Sequence, residues 1–220
     1  MPDGNRSGFA VLFKFGQRQH LEQLRSGRLY CNNQSYFYSI DDNNIARNDR
    51  YENMDYLVQA NQIRRFWLTY KDGSEYDLQA AGPVRITLGG HHRNIFCCYA
   101  VSDITHIKCD ARNFAFGDSF VMITHTQEFL DRCAAAARSA GFIPTWGPVT
   151  YFDYTTYTGD TGPHYKINDL SYQNEFRLVI TPGKRTPVIL DIGDATDITS
   201  KIGELAQINN LVEFAFDNES

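Results

Sequence analysis

The sequence predicts an α+β fold, with two main helices packed on a mixed, mostly antiparallel sheet that is either continuous or split into two. Three observations indicate it: the chain opens with a strand, a short helix and a strand, later strand candidates are short and bounded by Gly or Pro turns, and strands do not alternate strictly with helices. The 220 residues are expected to form a single domain over 9–220 after a disordered polar lead-in at 1–8.

The opening elements are predicted from their hydrophobic periodicity. Residues 10–15, AVLFKF, and 28–31, RLYC, are typical of strands. Between them, two leucines share one helical face and Gly27 follows as the expected residue after the helix end, which predicts a helix over 17–26. The second main helix is predicted over 127–140, where apolar residues recur at helical spacing.

Residues 32–55 are rich in Asn, Asp, Arg and Tyr and follow neither the helical nor the strand period. A loop of this length within a domain is usually a lid or a binding loop, so we expect it to border the functional site. Its carboxylates could hold a divalent cation, but they lack the spacing of a calcium loop, and a solvated loop with Asx-turns is the alternative. The histidines also lack the spacing of a zinc site, so no metal site is predicted.

Composition limits the classes of partner and compartment. The net charge of −5 argues against a surface that coats nucleic-acid phosphates. In the basic and aromatic run 64–67, alternation separates the two arginines onto opposite faces, which favours an edge strand with guarding charges over a stacking platform. No run of 18 apolar residues and no apolar leader occurs, so we expect a cytoplasmic protein without a membrane partner and with free cysteines.

Two later strands are predicted from their apolarity and from the alternation of their side chains. The run 95–101, IFCCYAV, is apolar on both faces, which predicts a central strand with the thiols of Cys97 and Cys98 buried. In the strand predicted over 171–180, alternation places Glu175 and Arg177 side by side on one face. Such a pair is either a solvated ion pair on the sheet or a carboxylate held over a cleft.

Several short motifs occur in a fixed order along the chain. They are Leu12-Phe13-Lys14-Phe15 in the first strand, Asn48-Asp49-Arg50-Tyr51 in the loop, the apolar strand Ile95 to Ala100, and Lys166 followed by Tyr172-Gln173-Asn174-Glu175-Phe176-Arg177. In this order the motifs resemble ADP-ribosyltransferase-like proteins and, more closely, an uncharacterised bacterial family. The resemblance implies an ADP-ribosyltransferase-like fold.

The resemblance also implies a site that takes nicotinamide adenine dinucleotide (NAD) as its nucleotide ligand and substrate. Lys14 would anchor the dinucleotide where the family has His or Arg, Tyr30 would pack on the nicotinamide, and Glu175 would stabilise the oxocarbenium-like transition state. These three are the implied catalytic residues. The implied NAD-binding residues are Lys14, Tyr30, Ser35, Tyr36 and Arg177. The chain departs from the family in lacking a Ser-Thr-Ser element.

The activity implied is transfer of ADP-ribose from NAD to a protein or nucleic-acid acceptor. The implied setting is a bacterial toxin or phage-defence effector, with an antitoxin or a regulatory protein as a partner. Two alternatives stay open: a catalytically degenerate module of the same fold that binds a nucleotide or a partner, and a structural or interaction protein whose Tyr- and Asn-rich loop is its binding surface.

Overall fold

The structure is a computed structural model that describes residues 11–39, 49–88, 92–102 and 108–210. The lead-in predicted at 1–8 lies outside the described residues. The α-helices are α1 (Arg18–Arg25), α2 (Gln34–Ser39) and α3 (Thr126–Ser139). The strands are β1 (Val11–Gly16), β2 (Arg28–Asn33), β3 (Tyr56–Val58), β4 (Phe66–Thr69), β5 (Glu75–Leu78), β6 (Val84–Ile86), β7 (Asn94–Val101), β8 (Ser119–Ile123), β9 (Ile143–Pro148), β10 (Thr150–Phe152), β11 (Gly159–Asp160), β12 (Tyr165–Ile167), β13 (Glu175–Thr181), β14 (Val188–Asp191) and β15 (Gly203–Glu204).

Eight strands form the main sheet. Six follow the order β14-β2-β7-β1-β8-β15, while β13 pairs with β7 and β9 pairs with β13. All of these pairs are antiparallel. Three small sheets accompany it, of which β11-β3-β6 and β4-β5 are antiparallel and β10-β12 is parallel. The predicted α+β class with mostly antiparallel sheets is therefore confirmed, but the main sheet is entirely antiparallel and not mixed, since the parallel pair lies in the separate β10-β12 sheet.

The main sheet opens along one edge of its central strand, β7. Strand β13 pairs with residues 94–99 of β7 along one edge. Because a strand has only two edges, β1, which pairs with residues 99–101, and β2, which pairs with residues 94 and 95, share the other edge. Both run antiparallel to β7 and hence parallel to each other, and α1 connects them. Residues 96–98 of β7 pair with neither β1 nor β2, so a wedge-shaped gap lies between these two strands.

The two main helices pack on one face of this sheet. Leu21 and Leu24 of α1 and Phe129 and Cys133 of α3 belong to one buried cluster, which also includes alternate residues of β7 such as Phe96. Burying each large apolar side chain contributes about 1.5–3 kcal/mol to folding, so this layer fixes the helices against the sheet. Among the described residues, no helix combines the length and the apolarity needed to cross a bilayer.

Most predicted elements lie within one or two residues of the observed ones, but one boundary was wrong. The strand predicted over 171–180 begins only at Glu175, because 168–173 form a 3₁₀ helix and Asn174 adopts the left-handed conformation at φ 38°. The carbonyl of Asn174 accepts a hydrogen bond from the backbone N–H of Ala100, and its side-chain amide donates to the carbonyl of Ala100. This tertiary contact overrides the strand propensity of the preceding residues.

Two further predictions need correction: the loop over 32–55 and the burial of both thiols in β7. The loop begins with two further residues of β2 and the helix α2, and its residues 40–48 lie outside the described part of the chain. All five cysteines are free, and β7 is central as predicted. Cys98 is buried, whereas Cys97 is partly exposed because its side chain lies on the opposite face of β7.

Candidate functional site

A cavity of about 550 Å³ opens at the gap between β1 and β2. Its walls come from the end of β1, one side of α1, the start of β2, α2 and the open edge of β7, with charged residues of β12 and β13 beyond them. Small-molecule sites typically measure roughly 300–1,000 Å³ and lie where structural elements diverge, so this cavity has the size and position of a ligand site.

Glu175 is the first residue of β13 and lines this cavity. Its backbone N–H donates to the hydroxyl of Tyr151 at 2.9 Å. Its side chain is only 9% exposed, and its two carboxylate oxygens each accept a hydrogen bond from a different cation: Nζ of Lys166 at 2.7 Å and Nε of Arg177 at 2.7 Å. The predicted face shared by Glu175 and Arg177 is confirmed, and the alternative of a solvated surface ion pair is wrong because both side chains are buried.

Arg177 connects β13 to the loop that precedes β3. Its Nη1 and Nη2 donate to the two carboxylate oxygens of Glu52 at 2.8 and 2.9 Å, and Nη1 also donates to the carbonyl of Pro163 at 2.5 Å. Together with the bond to Glu175, these contacts engage all three guanidinium nitrogens. A planar guanidinium held by two carboxylates has little freedom to rotate, so Arg177 fixes the position of both.

Lys166 completes the charged group. Its Nζ donates to Oε1 of Gln173 at 2.6 Å as well as to Glu175, and lies 3.8 Å from a carboxylate oxygen of Asp49. Asp49 and Glu52 come from the 32–55 segment, for which a solvated loop was one of the two interpretations. Both residues are buried in the structure. We refer to Asp49, Glu52, Lys166, Glu175 and Arg177 as the buried charge cluster, which contains three carboxylates and two cations.

Burial and charge act in opposite directions on these carboxyl groups. Burial would raise the pKa of Glu175, but the positive charges of Arg177 and Lys166 outweigh it and lower the pKa to about 2. Burial and the neighbouring charge of Glu52 raise the pKa of Asp49 to about 6, against the opposing effect of Lys166. At neutral pH, Glu175 is therefore a fixed negative charge at the cavity wall, while Asp49 titrates just below neutrality.

Lys14 lies in the gap itself. Its Nζ donates to the backbone carbonyl of Cys97 at 2.6 Å and lies 4.5 Å from the ring centroid of Phe96. Cys97 is the residue of β7 that pairs with Arg177 on the opposite edge. An ammonium group has three donors, and since Lys14 makes one hydrogen bond to the described residues, further donors remain for an anionic ligand.

Two tyrosines lie at the mouth of the cavity. Tyr30 of β2 and Tyr36 of α2 both line it and keep about half of their side-chain surface exposed. Burial, followed by the charge of the nearby Tyr36, raises the pKa of Tyr30. Ser35 is not among the lining residues, and its backbone N–H donates to the side chain of Asn33 at 2.8 Å.

The structure thus brings together five of the six residues that the sequence selected, and leaves Ser35 outside. Those that line the cavity are Lys14, Tyr30, Tyr36, Glu175 and Arg177. The described part of the 32–55 segment borders the cavity through α2 and Glu52, as predicted. Asn113 and Gln173 also line it, and neither was selected as a site residue because both are neutral residues of short 3₁₀ helices.

The remaining candidates from the sequence lie elsewhere or carry no site. Among the histidines, which lacked the spacing of a zinc site, His164 is partly buried and is not a lining residue, and burial, together with Arg177, lowers its pKa. Arg65 of the basic and aromatic run binds Glu75 and Asp77 on the β4-β5 hairpin. No group of three or more side chains suited to a metal ion occurs among the described residues.

Comparisons of the chain with protein-family models, with curated proteins and with solved structures found no match.

Proposed function

We propose that this cavity binds NAD and that Glu175 supports transfer of ADP-ribose from NAD to a protein or nucleic-acid acceptor, in the manner of a toxin or defence effector. One observation carries the proposal. Lys14, Tyr30 and Glu175 belong to three different strands, β1, β2 and β13, were selected for three separate roles, and line the same cavity. A pocket with a cation, flat aromatic surfaces and an ionised carboxylate has the groups that this ligand and this reaction require.

Each group has a distinct task in the proposed reaction. The bond between the ribose C1′ and the nicotinamide nitrogen breaks, nicotinamide leaves with the electron pair, and positive charge develops on the ribose. The ionised carboxylate of Glu175 stabilises that charge, while Lys14 neutralises the diphosphate and Tyr30 gives the nicotinamide ring a surface to pack on. A nucleophilic oxygen or nitrogen of the acceptor then bonds to C1′ and loses its proton.

A specific observation favours a second candidate function. Both carboxylate oxygens of Glu175 already accept hydrogen bonds from cations, so part of the negative charge is neutralised within the protein. A carboxylate in this state supports binding and positioning better than it supports a developing cation. The second candidate is therefore a catalytically degenerate module that binds NAD, or a related nucleotide, without cleaving it.

Incubation with NAD and chromatographic measurement of released nicotinamide tests the first function. We expect Glu175→Gln, which keeps the side-chain shape and removes the charge, to lower the rate by about a hundredfold or more. Glu204→Gln is the matched control because Glu204 is an exposed strand residue away from the cavity. Thermal unfolding of both variants must show folded protein at the assay temperature.

Calorimetric titration with NAD separates the two candidates. Binding without nicotinamide release would favour the degenerate module, and retention of full activity in Glu175→Gln would contradict the role assigned to that residue. Absence of binding would contradict both candidates and favour the interaction protein as the remaining alternative.

A further inference from the structure

The charges that line the cavity do not balance. Four Lys or Arg side chains and two carboxylates line it, which gives the lining a formal charge of +2, whereas the whole chain carries −5. Counting Asp49, which lies 3.8 Å from Lys166, leaves the lining positive. A cavity with excess positive charge in an acidic protein attracts an anionic ligand. The lining cations are Lys14, Arg28, Lys166 and Arg177, and the carboxylates are Glu52 and Glu175.

The excess positive charge lies outside the buried charge cluster. Within that cluster, Lys166 and Arg177 are already bound to the carboxylates. Lys14 donates to a backbone carbonyl and forms no ion pair with the described residues. The exposed guanidinium of Arg28 forms neither a hydrogen bond nor an ion pair within the described part of the chain. Lys14 and Arg28 are therefore the two cations that an anionic ligand can engage.

Arg28 faces the cavity because of its place on β2. Leu29 and Cys31 of this strand belong to the core on the helix side of the main sheet. Since successive side chains of a strand point to opposite faces, Arg28 and Tyr30 lie on the other face. The two are neighbours there, about 7 Å apart along the strand.

This is the face of the sheet that carries Glu175. Residues directly opposite each other in neighbouring strands lie on the same face. Asn32 of β2 is opposite Ile95 of β7, which is opposite Val179 of β13. Arg28 is four residues from Asn32, and Glu175 is four residues from Val179, so alternation places both on this face. Arg28 is exposed and Glu175 is buried, so a ligand on this face can reach from the mouth of the cavity to its interior.

One carboxylate lies near enough to compete for Arg28. Asp191 is directly opposite Arg28 in the β2-β14 pair, so the two side chains share a face. However, Oδ1 of Asp191 accepts a hydrogen bond from the backbone N–H of Gly193 at 3.0 Å, and its carboxylate forms no ion pair with Arg28. Asp191 does not line the cavity. The guanidinium of Arg28 therefore stays available to a ligand.

We propose that Arg28 is a second anchor for the diphosphate of the ligand, and that Lys14 and Arg28 together restrict the cavity to ligands that carry a diphosphate. The two cations belong to β1 and β2, the strands on either side of the gap. A diphosphate carries a negative charge on each phosphate, so it can contact both cations at once. Arg28 can bind a phosphate through two parallel hydrogen bonds, whereas Lys14 acts as a point charge.

The placement of the ligand rests on the proposed function. With nicotinamide packed on Tyr30, the ribose spans the distance of about 7 Å to Arg28, where the diphosphate follows. A nucleoside without phosphates would contact Tyr30 and leave Arg28 unused.

Calorimetric titration of the wild type and of Arg28→Gln with two ligands tests the proposal. NAD carries the diphosphate, and nicotinamide riboside lacks it. We expect Arg28→Gln to weaken the binding of NAD by about ten- to a hundredfold, since it removes charge-assisted hydrogen bonds to phosphate. The affinity for nicotinamide riboside should stay unchanged.

Two further variants separate a specific contact from a general effect of charge. Arg28→Lys keeps the charge and loses the planar guanidinium, so its affinity for NAD should lie between those of the wild type and Arg28→Gln. It also serves as the test if the glutamine variant does not fold. Arg18→Gln is the matched control, because Arg18 is an exposed arginine of α1 that does not line the cavity. It removes the same charge and should leave the affinity for both ligands unchanged.

The outcomes separate this proposal from the proposed function. A loss of affinity for NAD alone in Arg28→Gln supports the proposal even if no nicotinamide is released. No loss for NAD, or an equal loss for NAD and the riboside, would overturn it even if nicotinamide is released. A wild-type preference for NADP over NAD that Arg28→Gln removes would assign Arg28 to a ribose phosphate and would also overturn it.

Inorganic diphosphate serves as the probe if NAD or the riboside does not bind measurably. We expect the wild type to bind it more tightly than orthophosphate, and Arg28→Gln to lose that preference. No preference in the wild type, or a preference that survives in Arg28→Gln, would overturn the proposal.

Discussion

Two arginines in this protein make nearly the same contacts in very different surroundings. Arg177 bridges Glu175 and Glu52 at 2.7–2.9 Å in the buried charge cluster, where side-chain exposure is at most 9%. Arg65 bridges Asp77 and Glu75 at 2.8 and 2.9 Å on the β4-β5 hairpin, where the three side chains are 45–71% exposed. Distance alone does not separate the two groups. Solvent exposure distinguishes them, because water weakens the attraction between charges and also stabilises each charge when its partner is removed.

The buried charge cluster carries a desolvation cost that the exposed ion pairs of the hairpin do not. Bringing charges out of water costs free energy that their mutual attraction repays only with good geometry, and an apolar replacement of similar volume is often as stable. Stability is therefore a weak explanation for five ionisable side chains beside one cavity. The cluster fixes the carboxylate of Glu175 at the cavity wall and connects it to the 49–55 segment. A ligand site, as proposed above, explains both features better.

The largest effect on stability is expected when Arg177 is truncated. In Arg177→Met, Glu52 and part of Glu175 remain buried without their cation, and breaking a buried pair in this way typically costs about 3–5 kcal/mol. The free energy of unfolding, measured by urea denaturation monitored by circular dichroism, is expected to fall by that amount at neutral pH. If the free energy of unfolding falls by less than about 1 kcal/mol, the magnitude typical of an exposed pair, water enters the cluster.

An intermediate and pH-dependent effect on stability is expected when Asp49 is replaced. Its pKa is raised from 3.8 to about 6 in the folded protein, so between these values the native state holds a proton that the unfolded chain has lost. Stability should therefore decrease as pH rises from about 4 to about 6, because ionisation of Asp49 is less favourable in the folded state. Asp49→Asn removes this ionisation and should be more stable than the wild type at pH 7, by up to about 3 kcal/mol, and similar to it at pH 4.

Urea denaturation of both proteins from pH 4 to pH 8 measures this difference. The change in Glu175, whose lowered pKa reduces stability as the pH falls below 4.5, is common to both proteins and cancels in the difference. Asp72→Asn in the turn of the hairpin is the control, because hydrogen bonds from Ser74 lower the pKa of Asp72 and give the opposite pH dependence. A difference between wild type and Asp49→Asn that does not vary with pH would contradict the expectation.

The two regions also differ in how far the sequence predicted them. Alternation correctly placed Glu175 and Arg177 on one face, since that inference needs only the period of a strand. Glu52, the partner of Arg177, lies 125 residues away in the sequence, and only tertiary structure brings it into contact. The same reason hid Asn113, whose position depends on Tyr172, 59 residues further along the chain.

The fold shows the same division between local and tertiary information. The helix α1 and the strands β1, β2 and β7 follow from hydrophobic periodicity and from Gly27, which has a φ of 93° at the end of α1. Strand β5 was missed because two of its four residues are acidic and acidic residues are depleted in strands. Its acidic side chains are accommodated because they face water and share Arg65, which immediately precedes the neighbouring strand β4, a contact that no local pattern reveals.

The smallest effect on stability is expected when Arg65, the exposed counterpart of Arg177, is replaced. Arg65→Met removes two ion pairs and the contact of the guanidinium with the ring of Trp67, whose centroid lies 4.6 Å away. Glu75 and Asp77 remain in water, which solvates their charges, so the unfolding midpoint should match that of the wild type within experimental error. The same urea denaturation used for Arg177→Met measures the unfolding midpoint, with the wild type at low and high salt as the control, because salt screens exposed pairs much more than buried ones. A loss of stability comparable to that of Arg177→Met would mean that the hairpin ion pairs are shielded from water by a second molecule. Solvent exposure would then no longer distinguish Arg65 from Arg177.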